Sequence, residues 1–110
     1  PGTIANACKM LQKLSGKTVS FFTSVGFIAP NQPCLIHTEE VIVTIRTLDH
    51  QEIERYVAKD KPLDCAGSFK VESLGISLFK SVKSDDPTAL EGLPLIRLCQ
   101  WLRDQGFKIP

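Results

Sequence analysis

Between Gly16 and Lys17 the hydrophobic period of this chain changes from helical to extended, and that switch limits what the chain can become. Upstream, Ile4, Ala7, Cys8, Leu11 and Leu14 share one helical face, with Thr3 placed to cap its start and Ser15-Gly16 its end. Downstream, residues 17–29 (KTVSFFTSVGFIA) are rich in β-branched and aromatic side chains. Val19, Phe21, Thr23, Val25 and Phe27 alternate onto one face, as a half-buried strand requires. Pro30-Asn31-Gln32-Pro33 turns the chain, and residues 34–48 return as a second strand, with Val41, Val43 and Ile45 on one side and Ile42, Thr44 and Arg46 on the other.

The pattern then alternates again. Asp49, with Glu52 three residues on, has the form of a capping box, and Ile53, Tyr56 and Val57 give the helix that follows an apolar stripe. Residues 60–68 have no periodicity and read as a loop. Residues 75–82 (GISLFKSV) alternate loosely and predict a third strand, Asp85-Asp86-Pro87 predicts a turn, and residues 93–105 predict a closing helix. In that helix Leu95, Ile96, Leu98, Cys99 and Leu102 are expected to face inward, with Gly106 past its end. Helix, strand, strand, helix, strand, helix is an α/β or α+β order. At 110 residues one domain, 1–110, is expected, large enough to bury roughly 65% of its unfolded surface.

Charge narrows the function classes. Thirteen basic residues stand against 12 acidic ones, a net charge of +1, without the cationic excess of a nucleic-acid-binding surface. No apolar run reaches the roughly 18 residues of a membrane span, so neither nucleic acid nor membrane is an expected partner. Cys8, Cys34, Cys65 and Cys99 lie far apart, with neither a Cys-x-x-Cys pair nor zinc-ligand spacing. Four reduced thiols and a cytoplasmic location are the expectation.

Two motif look-alikes fail on their surroundings. Ser15-Gly16-Lys17-Thr18 resembles the tail of a phosphate-binding loop, but position 11 is leucine where that motif needs glycine. A helix also precedes it and a strand follows, the reverse of the arrangement that points a helix N-terminus at phosphate. Ala66-Gly67-Ser68-Phe69-Lys70 lacks the flanking glycines of a nucleophile elbow, and neither His37 nor His50 is placed as a base for it.

Residues 61–75 (KPLDCAGSFKVESLG) carry the stronger signal. Asp64, Lys70 and Glu72 surround a glycine-containing loop between a helix and a strand, where a rigid scaffold concentrates binding chemistry. Residues 62–72 resemble the signature of the Maf family of nucleoside triphosphate pyrophosphatases, closest to the branch that hydrolyses 7-methyl-GTP. Leu14-Ser15-Gly16-Lys17 with the Phe-rich strand, residues 48–57 (LDHQEIERYV) and residues 90–102 (LEGLPLIRLCQWL) are similar to further motifs of that family in the same order.

The resemblance implies an α/β fold, a mixed sheet with flanking helices of the kind shared with inosine triphosphate pyrophosphatases. It also implies that this chain is the C-terminal part, with Pro1 as the proline of a Gly-Lys-Pro motif. The family's arginine-containing phosphate loop, acidic metal-binding segment and Ser-Asp-Gln general base have no counterpart here, and Arg46, Arg55, Arg97 and Arg103 stand in the wrong contexts to replace that loop. No catalytic residue and no metal ligand is therefore expected in this chain; the divalent cation, magnesium or manganese, would be held mostly from outside it. Glu72 matches the position important for substrate specificity, while Lys70, Gly67 and Ser68 are candidate substrate-binding residues. The implied partner is a nucleotide, and the isolated 110 residues are expected to be inactive. Self-association through strand edges left open by truncation is a further expectation. The competing expectation is a catalytically silent structural or interaction module.

Overall fold

A computed structural model describes residues 1–110. The elements are α1 (Ile4–Leu14), β1 (Thr18–Phe27), β2 (Leu35–Ile45), α2 (His50–Asp60), β3 (Phe79–Lys83) and α3 (Leu95–Asp104), with short 3-10 turns at Ala66–Ser68, Leu74–Leu78 and Pro87–Glu91. The strands form one antiparallel sheet in the order β1-β2-β3, so among this chain's own strands the sheet is not mixed. Hydroxyl pairs on one face fix the β1–β2 register: Thr18 with Thr44 at 3.0 Å and Ser24 with Thr38 at 2.7 Å. No helix is long and apolar enough to cross a membrane.

The chain divides into two compact units, each assembled from two stretches: Pro1–Val19 with Ile42–Val82, and Ser20–Val41 with Lys83–Pro110. In the first, α1 starts where the Thr3 hydroxyl accepts the Asn6 amide and ends where Ser15 leaves helical geometry. The Ser15 hydroxyl then accepts the Leu48 amide at 2.7 Å, so the apparent phosphate-loop serine is a helix exit tied to the chain ahead of α2. Ala7 and Leu11 of α1, Val43 and Ile45 of β2, and Ile53, Tyr56 and Val57 of α2 are all buried. Each fully buried aliphatic side chain here contributes about 2 kcal/mol of transfer free energy. The capping box of α2 is complete, with Asp49 and Glu52 exchanging side-chain and backbone bonds.

In the second unit, Val25, Val41, Ala89 and Trp101 are buried, and the Phe27 ring lies 5.9 Å from that of Trp101. The inward face of α3 differs from the expectation. Leu95 and Ile96 are 42% and 55% exposed, whereas Trp101 is 8% exposed. The indole, the bulkiest side chain on the helix, takes the core position against Phe27 and turns the first turn of α3 outward. The expected strand over 75–82 is also corrected: Leu74–Leu78 is a 3-10 turn and the strand begins at Phe79. Gly75 explains the change, since its amide bonds the Lys70 carbonyl at 2.8 Å and curls the chain before it can extend.

Candidate functional site

The candidate site is the loop over residues 61–75, within the first unit. Lys61 ends α2 in the left-handed conformation, φ +46°, and Pro62 behind it is buried. Gly67 and Ser68 are both left-handed, φ +73° and +63°. Glycine adopts such a conformation freely, but serine does not. This double left-handed step drives Ser68 inward, where it is wholly buried and its hydroxyl has no hydrogen-bond partner.

Beyond Ser68 the loop is pinned at three places. Phe69 is buried and meets the Phe79 ring edge-on, with centroids 4.9 Å apart. The Lys70 amide donates to the Tyr56 hydroxyl at 2.7 Å. Asp60, the last residue of α2, accepts from the Ser73 hydroxyl at 2.9 Å and the Leu74 amide at 3.0 Å. Glu72 sits in the turn between these anchors, exposed and without a hydrogen bond or ion pair of its own. The protein thus holds the backbone on either side of Glu72 while leaving its carboxylate free.

The fields of the charged side chains meet at Cys65. Burial, above all, pushes its thiol up; the Asp64 carboxylate, which accepts the thiol's hydrogen bond at 3.6 Å, and the Glu72 charge add to the effect, while Lys70 opposes it. Asp64, Lys70 and Glu72 thus all act on this one thiol. Lys70 is half-buried and Asp64 exposed. Gly67 and Ser68 shape the loop's entry, and Ser68 faces inward rather than toward solvent. No three of the His, Cys, Asp and Glu side chains come together so as to hold a metal ion. All four cysteines are free thiols.

Two residues that hold the site were not singled out as such from sequence. Tyr56 was read only as part of an apolar stripe, and its phenol gives no local sign of its distant partner. Asp60 carried a usable signal. An acid at a helix C-terminus opposes the macrodipole, which suggests that its carboxylate is engaged elsewhere.

The sequence pattern of the family described as Maf-like protein matches residues 1–105. The chain belongs to the Maf family. Its curated relatives include proteins named 7-methyl-GTP pyrophosphatase. That of Xanthomonas oryzae pv. oryzae (strain MAFF 311018) is 50% identical over 111 residues, covering 100% of this chain and 57% of the relative. The Xanthomonas campestris pv. campestris (strain 8004) protein is 47% identical over 110 residues, again 100% of this chain and 57% of the relative. The Pseudomonas putida protein is 45% identical over 111 residues, covering 100% of this chain and 58% of the relative. This Maf chain spans a little over half the length of these relatives.

Proposed function

We propose that this chain is the C-terminal, base-recognising part of a nucleoside triphosphate pyrophosphatase acting on 7-methyl-GTP. In that reaction water attacks the α-phosphorus, the bond to the bridging oxygen breaks, and the monophosphate and pyrophosphate leave. The observation that carries the reading is the free Glu72 carboxylate on a backbone clamped by Tyr56 and Asp60. Guanine presents two adjacent donors, N1–H and the N2 amino group, and one ionised carboxylate can accept both in a charge-assisted bidentate pair. Methylation at N7 makes the ring cationic, which further favours an anionic partner. The names and the roughly half-identical sequences of the relatives support the same assignment. On this reading the general base, the phosphate grip and the cation lie outside these 110 residues.

The test is Glu72→Gln in the intact protein, with kcat/KM compared for 7-methyl-GTP, GTP and a pyrimidine triphosphate. Preference for 7-methyl-GTP is expected to fall by about ten- to a hundredfold; unchanged ratios would remove Glu72 from recognition. Pyrophosphate release from 7-methyl-GTP with magnesium, measured for the 110 residues alone and for the intact protein, separates this reading from a silent interaction module. Activity is expected in the intact protein only.

A further inference from the structure

On the α2 side of the first unit lies a cleft of about 200 Å³ whose lining includes Arg46, Glu52, Arg55, Tyr56, Lys59 and Leu74. The reading of Glu72 makes no use of it. Its charge is lopsided, with three cations against the single carboxylate of Glu52. That carboxylate is already paired, accepting from the Arg46 guanidinium at 2.9 Å. Arg46 is fixed further by donating from Nε to the Ser77 carbonyl at 2.9 Å. Its planar group is therefore held in place, with little side-chain entropy left to lose on meeting a ligand.

Arg55 and Lys59 stand one helical turn apart on α2, both exposed, and neither has an acidic partner. The chain's ion pairs are His37–Glu39, Arg46–Glu52 and His50–Glu54. The Asp49 carboxylate, whose field reaches Arg55, is taken up by the Glu52 amide at 2.7 Å. Like charges at this spacing on a helix destabilise it slightly, and an anion between them would reverse that effect. Buried Tyr56 and half-exposed Leu74 add apolar surface to one wall of the cleft, which strengthens a charge interaction made against it.

We infer that this cleft is a binding site for a compact phosphate anion, pyrophosphate in preference to orthophosphate, gripped by Arg55 and Lys59 beside the fixed Arg46. The preference follows from charge: two unpaired cations in one cleft with a third suit two linked phosphoryl groups better than one. The volume of about 200 Å³ admits an anion of that size. The site needs no metal and does not depend on the proposed reaction, so the two ideas fail separately.

The experiment is an amide-resolved NMR titration of the intact protein with inorganic pyrophosphate, then orthophosphate, in the presence of a chelator. Saturable shifts are expected at residues 46, 55, 56 and 59, with weaker binding of orthophosphate. The double variant Arg55→Gln/Lys59→Gln, both positions exposed and helix-compatible, is expected to bind pyrophosphate at least about tenfold more weakly with an otherwise unchanged spectrum. Glu72→Gln is expected to bind it as before. The proposal is overturned if the shifts at residues 46 and 56 titrate with unchanged affinity in the double variant, if orthophosphate produces them as readily as pyrophosphate, or if the shifts cluster at residue 72 and spare α2.

Discussion

The phenolic oxygen of Tyr56, on α2, receives the amide proton of Lys70 at 2.7 Å, so a helix in the core holds the backbone two residues ahead of Glu72. Tyr56→Phe leaves the packing in place but strands that amide. A loss of about 1–2 kcal/mol is expected, read by denaturant unfolding, together with faster hydrogen exchange at Lys70. Equal protection at Lys70 in both proteins would show that the bond does not restrain the loop.

The same phenol predicts a response to alkali. Burial pushes the Tyr56 pKa well above its ordinary value, with the Asp60 charge adding to the effect and the Lys70 amide opposing it. The folded-state value lies above the unfolded one, so the contribution to stability is complete below about pH 10 and is lost as the pH climbs past that value. This is the chain's only tyrosine. Ultraviolet titration of the folded 110 residues should therefore show no phenolate near pH 10, with its appearance coinciding with loss of near-ultraviolet dichroism. A free phenol titrating at its ordinary value would contradict the burial argument.

Ser68 and Gly75 predict opposite outcomes within one loop. Ser68 buries an unpartnered hydroxyl at positive φ, so Ser68→Gly should raise stability by about 1 kcal/mol by removing both the orphan group and the strained backbone. Gly75 is different, because a Cβ there would lie 2.6 Å from the Lys70 carbonyl carbon and 2.9 Å from its nitrogen. Gly75→Ala is expected to cost about 2–3 kcal/mol as the backbones are forced apart. Thermal melts of the two variants should move in opposite directions.

Asp86, 2% exposed, accepts from the Thr88 amide and hydroxyl and, through its other oxygen, from the Ile96 amide at 2.9 Å. Burial works to raise its pKa, but the bonds from Thr88 and Ile96, helped by the His37 charge, hold the carboxyl below its ordinary range. Its stabilisation is therefore present above about pH 4 and is lost as acid protonates it through the lowered value. Asp86→Ala should cost about 2–4 kcal/mol at neutral pH and flatten the acid limb of the stability curve. A variant with the same acid midpoint as the parent would rule this carboxylate out as its source.

Thiol reactivity gives a further check on the site. Cys34 is exposed, whereas burial and the Asp64 carboxylate push the Cys65 thiol up. Alkylation near neutral pH, followed by peptide mass spectrometry, should modify Cys34 well before Cys65. The reverse order would contradict the arrangement of charges around the loop.

Local signals in the sequence translated well into structure. Thr3, the Asp49–Glu52 box and the alternation in residues 17–29 each state a rule that neighbouring residues satisfy among themselves. What was not legible depends on partners far along the chain. The first amides of α3 are capped from the preceding turn by Thr88 and Asp86, because the residue before the helix is Pro94, which makes no side-chain cap. The curl at Gly75 needs the Lys70 backbone, and the inward turn of α3 needs the Phe27 ring. The resemblance points to Glu72, and only the fold shows that Tyr56 and Asp60 restrain the chain on either side of it.

Each compact unit draws on two separated stretches of chain, which has a consequence for synthesis. Pro1–Val19 leave the ribosome before their packing partners, which arrive only with Ile42–Val82. The hairpin emerging between them must wait longer still, for residues 83–110. The mutual amide pair of Gln32 and Gln105, with bonds of 3.2 and 2.8 Å, can form only when nearly all 110 residues are available. The unit carrying Glu72 can thus close while the hairpin still exposes its apolar face, the kind of transient exposure that favours aggregation.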